Sequence, residues 1–228
     1  MKYSLPLRKL LERLDTIPDG SLHAGHRHVQ AHITALTQAV ESLEKVAQHP
    51  DPTETEARHA QRVAEAAKKL LKRADKIAEH LTVDIQEATQ TLSDALTEKA
   101  GLRENAYASE IRAAMRGMGK RERAQVLQQA VEDGDGATVA ALTSAPTVVT
   151  GLDATYAERM ADAFTRKHAP EVVNARDSLM ENYSTALQAV SLAKSASDAA
   201  VDAEFIREIQ QAQDQARDAQ EAFDNATA

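Results

Sequence analysis

Four of the chain's eight histidines stand within ten residues, at His23, His26, His28 and His32. His28 and His32 are four apart, which on a helix puts both imidazoles on one face, a spacing that can bind Zn, Ni or Cu. No glutamate flanks the pair in the metalloprotease manner, and no carboxylate falls inside the cluster to complete a shell. The stretch therefore reads first as a polar loop leading into a helix over about 28–48, where Val29, Ile33, Leu36, Val40 and Leu43 recur at helical spacing. No metal and no cofactor are assigned on these residues. The four histidines are the candidates should an ion bind, and capture by a nickel column is the commoner consequence of such a cluster.

Cationic side chains offer the second kind of chemistry. Arg112, Arg116, Lys120, Arg121 and Arg123 form a basic patch and are the anion-binding candidates, against the plainer reading of a solvated face. Further upstream, Lys68, Lys72 and Lys76 share a helical face beside Lys69 and Arg73, a ladder that could grip phosphates. It has no interleaved aromatic residues for base stacking, and Glu65, Asp75 and Glu79 stand nearby to pair with it, so a salt-bridged, solvated face is expected. Gly117-Met118-Gly119-Lys120 has the end of a phosphate loop without its first glycine, and Arg121 stands where a magnesium-binding hydroxyl belongs. Asp133-Gly134-Asp135-Gly136 suggests a calcium loop, but Ala137 occupies the next ligand position and no glutamate closes it; a helix stop followed by an N-cap fits better. No nucleophile, base and acid are grouped, so the chain is read as a non-enzyme with no small-molecule substrate evident.

Composition supports that view. The 228 residues carry a net charge of −8, only 3% aromatic residues, no tryptophan and no cysteine. Alanine and leucine suit close contact between helices, whereas pockets are usually lined with large aromatic side chains. The acidic balance disfavours nucleic acid or an anionic membrane as a partner for the whole protein, leaving only local patches. Without cysteine there are no disulfides and no thiolate zinc sites, which fits a reducing cytoplasm. No apolar run near the start predicts a signal peptide or membrane span, so the sequons at Asn182 and Asn225 carry no meaning.

Four segments must position these groups. Residues 1–50 hold a short helix, with Leu7, Leu10, Leu11 and Leu14 on one face, ending before Pro18-Asp19-Gly20, and then the histidine-rich lead-in and second helix. Residues 51–100 are one long helix, opened by a capping box of Thr53 and Glu56. Ala60, Ala67, Ala74, Leu81, Ala88 and Ala95 recur every seven residues along it, and Ala64, Leu71, Ala78, Ile85 and Leu92 follow four later. Residues 101–170 form a compact module of short helices, whose expected core includes Tyr107, Met115, Leu127, Val139, Val148 and Phe164. Residues 171–228 are a last long helix with Val172, Leu179, Ala186 and Ala193 in heptad spacing and a bend or weakly packed segment at Ser195-Ala196-Ser197-Asp198. The expected fold is all-α: a long antiparallel helical hairpin or coiled coil with the compact module inserted at its tip.

Within the module, Gln128-Gln129-Ala130-Val131-Glu132-Asp133-Gly134-Asp135, Leu142-Thr143-Ser144-Ala145-Pro146, Gly151-Leu152-Asp153 and Lys167-His168-Ala169-Pro170-Glu171 follow one another in order. This run resembles a pattern in uncharacterised helical proteins of tailed bacteriophages and prophages, though Thr147-Val148-Val149-Thr150 departs from the aromatic and serine residues expected there. It covers about a quarter of the chain, residues 120–171. The resemblance implies a phage-related gene, with an assembly, internal virion or accessory role in the host cytoplasm or the virion, and transfers no active-site residue. The expectation is a structural or interaction protein that self-associates or docks on a protein partner through its long helices, with a nucleic-acid or anion binder as the rival.

Overall fold

The structure, a computed structural model, describes residues 3–15 and 24–227. Ten α-helices and no strand occur among the described residues: α1 (Ser4–Asp15), α2 (Ala24–Gln48), α3 (Glu56–Lys99), α4 (Ala108–Arg116), α5 (Lys120–Asp133), α6 (Gly136–Thr143), α7 (Thr147–Thr150), α8 (Ala154–His168), α9 (Pro170–Ala200) and α10 (Ala203–Thr227). The chain is therefore all-α. Two compact units divide it, one made of the described residues up to Asp84 with those from Glu181 onward, the other of Ile85–Met180. None of the described helices is long and apolar enough to cross a membrane. The Pro18-Asp19-Gly20 stop lies outside the described residues.

In the first unit, Leu7 and Leu14 of α1 and the five predicted apolar residues of α2 are buried against α3 and α9. The deep seam of α3 is Val63, Ala67, Leu70, Ala74, Ile77 and Leu81. Its heptad line at 67, 74 and 81 was expected, but its companion line at 63, 70 and 77 falls three residues after 60, 67 and 74, not four. Ala64, Leu71 and Ala78 are only half-buried on the flank. Spacings of three and four both keep a residue on the same stripe, and the bulkier Val, Leu and Ile take the inner side because they remove more apolar surface from water.

Helix starts also differ from expectation. Helix α2 begins at Ala24, so His28 sits one turn inside it and not at its start. The cap of α3 is Thr55, whose hydroxyl accepts the Arg58 N–H at 3.2 Å, while Thr53 turns back to the Asp51 carboxylate. The small residues at 195–198 do not bend the last helix. They remain helical, with Ala196 and Ser197 buried, and Ser197 donates its hydroxyl to the Ala67 carbonyl at 2.7 Å. Together with the 2.6 Å ion pair of Lys194 and Asp75, this fixes α9 antiparallel to α3 within the unit. The single long C-terminal helix is instead two helices. The interruption falls at Val201 and Asp202, whose carboxylate caps α10 by accepting the N–H groups of Glu204 and Phe205 at 3.1 and 3.0 Å.

The second unit gathers α4 to α8 around the end of α3 and the start of α9. Leu127, Val139 and Phe164 are fully buried, with Leu92, Leu96, Val172 and Leu179 in the same core. Gly101 ends α3 at φ +67° and Gly134 ends α5 at φ +76°, conformations that glycine adopts without strain. Asp135 then accepts the Thr138 N–H at 3.0 Å, so the Asp-Gly-Asp-Gly run is the helix stop and N-cap expected of it. Gly119 opens α5, its N–H bonded to the Glu122 carboxylate at 2.7 Å, which makes the Gly-Met-Gly-Lys stretch a helix junction. Tyr107 and Val148 do not belong to the core. They are 62% and 90% exposed because one lies in the turn before α4 and the other on the single-turn α7.

Candidate functional site

The structure completes the histidine pair from an unexpected direction. Helix α3 runs antiparallel to α2, with His59 and Arg62 of α3 near the Ala47 and His49 carbonyls at one end. At the other end, α3 brings His80 and Asp84, themselves four residues apart, against His28 and His32. Asp84 Oδ2 lies 3.6 Å from His28 Nδ1 and 3.8 Å from His32 Nε2. The His80 ring meets His32 edge-on, with centroids 6.4 Å apart and planes at 70°. His28 and His80 are exposed, whereas the side chain of His32 keeps 22% of its surface and that of Asp84 32%.

Burial lowers the His32 pKa below the ordinary 6.5, against the upward pull of Asp84; His80 and His28 add to the lowering by like-charge repulsion. His23, and the side chain of His26, lie outside the described residues. As the side chains stand, no three His, Asp or Glu groups among the described residues converge on one metal position. The sequence does carry a signal for the second half of this group. His80 and Asp84 have the same i, i+4 spacing as His28 and His32, and only the antiparallel register of α2 and α3 shows that the two pairs meet.

The five residues of the basic patch, all in the second unit, divide by task. Arg112 is held by Glu104 through two hydrogen bonds of 2.9 and 2.8 Å, and the same carboxylate accepts the Ser144 hydroxyl. Arg123 donates from Nε to the Met115 carbonyl at 2.8 Å, closing the end of α4. Its guanidinium also lies over Gly151, where an added Cβ would fall 1.6 Å from a terminal nitrogen. Arg116, Lys120 and Arg121 are left on the surface, so the expected five-residue patch offers three free-facing cations. On α3, Lys68, Lys72 and Lys76 are exposed. Asp75, one of the carboxylates expected to pair with them, is bonded to Lys194 instead.

Two grooves flank the first unit's long helix. One, of about 440 Å³, separates α3 from α10 between Arg58, Gln61 and Lys68 on one side and Ile206, Gln210 and Gln213 on the other. Another, of about 270 Å³, runs between α2 and α3 over Leu43, Val46 and Leu70, with Lys69 and Arg73 at its rim. Ser42 also lines the second groove, its hydroxyl donated to the Gln38 carbonyl at 2.8 Å. Comparison with known proteins finds no match: no protein-family model, no curated protein and no solved structure matches this chain.

Proposed function

We propose that this chain is a non-enzymatic helical interaction protein, and that α10 is the element that meets a second copy. The observation that carries this reading is the state of α10. Residues 210–227 are all exposed, yet Ala212, Ala216, Ala219 and Phe223 keep the four-three-four spacing of a helix seam. Phe223 is 63% exposed. An isolated helix of this length is marginal in water, so one that carries a seam gains its stability by lying against another helix. The seams of α3 and α9 in the first unit are already filled from within the chain, which leaves this surface to α10. The resemblance of residues 120–171 to phage proteins supports a role in phage assembly, inside the virion or as an accessory in the host cytoplasm.

Light scattering coupled to small-angle X-ray scattering on untagged protein, at low and at high salt, tests the reading. The expected result is an oligomer that persists in high salt and becomes a monomer in Phe223→Lys, with unchanged helix content. A monomer at both salt concentrations would overturn it.

The alternative reading, binding of nucleic acid or another polyanion, draws support from the exposed ladder of Lys68, Lys72 and Lys76 more than from Arg112 and Arg123, which are engaged. Three phosphate contacts imply a slope of about −3 in a log-log plot of affinity against salt, and a slope near zero removes this reading.

A further inference from the structure

We propose that His28, His32, His80 and Asp84 bind a divalent transition metal ion, zinc or nickel, as a clasp between α2 and α3. Each helix contributes an i, i+4 pair, and helix bundles build metal sites from such side chains on facing helices. The carboxylate already occupies a central place. Its Oδ2 stands 3.6 Å from one ring nitrogen and 3.8 Å from another, separations too long for hydrogen bonds. They come close to the roughly 3.3–3.4 Å that separates two ligand atoms of a tetrahedral zinc ion with bonds of about 2.0–2.1 Å.

His80 lies one turn before Asp84 on the same helix, with its ring edge-on to His32 at 6.4 Å. Three imidazoles and one carboxylate make a closed four-ligand shell of the kind that zinc accepts, and imidazole suits nickel equally. The donors do not converge as they stand. Closing the shell draws His28 and His80 inward by rotation about their side-chain bonds. Both are exposed, so they have room to turn and the ion has a path from solvent. The bound ion ties the N-terminal half of α2 to the middle of α3. Neither pair alone supplies enough ligands for this, and His28 with His32 would hold an ion only loosely.

The test is titration calorimetry of the full, untagged chain, prepared without a nickel column, with zinc chloride and then nickel chloride. One ion per chain is expected, and cobalt in place of zinc should give the intense visible bands of a four-coordinate site. His80→Ala and Asp84→Asn should each weaken binding by at least about tenfold, the lower end of what is lost when the support of a metal site is removed. His23→Ala/His26→Ala should leave it unchanged. Thermal melts with and without zinc check that each variant is folded, and only the wild type and the His23/His26 variant should be stabilised by the ion. Absence of binding overturns the proposal. So does one-to-one binding that survives His80→Ala and Asp84→Asn, and so does binding that disappears only in the His23/His26 variant, since either places the ion on the N-terminal histidines.

Discussion

Glu104 shows how one carboxylate can organise several segments of the chain. It accepts two hydrogen bonds from Arg112 and one from Ser144, and thereby joins the turn before α4, α4 itself and the end of α6. Those bonds, Arg112 first, hold its pKa at about 2 where 4.5 is ordinary. A carboxylate whose pKa is lower folded than unfolded contributes stability that is fully present above the unfolded value and is lost as the pH falls toward the folded one. Acid titration followed by circular dichroism should therefore show the wild type losing stability between about pH 4.5 and 2. Glu104→Gln should lose less across that window and start from a lower stability at neutral pH. The sequence names Arg112 as a cation but cannot show its partner, because Glu104 lies eight residues away across a turn. The histidine group was half legible for the same reason: spacing within a helix can be read from the chain, while the meeting of two helices depends on their register.

At the scale of the element, heptad spacing predicted the line Ala67, Ala74 and Leu81 of α3 but not its companion Val63, Leu70 and Ile77, and it predicted the whole seam Val172, Leu179, Ala186 and Ala193 of α9. What it could not rank were the two flanks of the stripe, or the meaning of the small residues near 196. Small and polar side chains can mark either a weak segment or a close approach. Here Ala193, Ala196 and Ser197 are buried against α3, and the Ser197 hydroxyl reaches a backbone carbonyl there, so the approach is close. Such a contact leaves no room for a larger side chain. Ala74→Leu, at a position with no exposed surface, should destabilise the protein by about 1–3 kcal/mol through overpacking. The check is a lowered urea midpoint with an unchanged denaturant slope, since the surface exposed on unfolding stays nearly the same.

For the whole molecule, two cores carry the stability and the end of α10 belongs to neither. Residues 210–227 are all exposed, and Ile209 is the last buried residue of that helix. Deleting residues 210–228 should therefore shift stability by no more than about 0.5 kcal/mol, as for surface changes generally. The deleted stretch holds Asp214, Asp218, Glu221 and Asp224 against Arg217, which is −4 + 1 = −3 of the net −8. Two such tails repel each other, so a seam formed by Ala212, Ala216, Ala219 and Phe223 must associate against that repulsion. Salt screens the like charges and leaves apolar burial intact, so the oligomeric fraction should rise with ionic strength and vanish in the deletion variant. Association that weakens with salt, or that survives the deletion, would instead point to opposite charges elsewhere, with the lysine ladder of α3 as the surface to examine. Light scattering across a salt series on both chains separates the two outcomes.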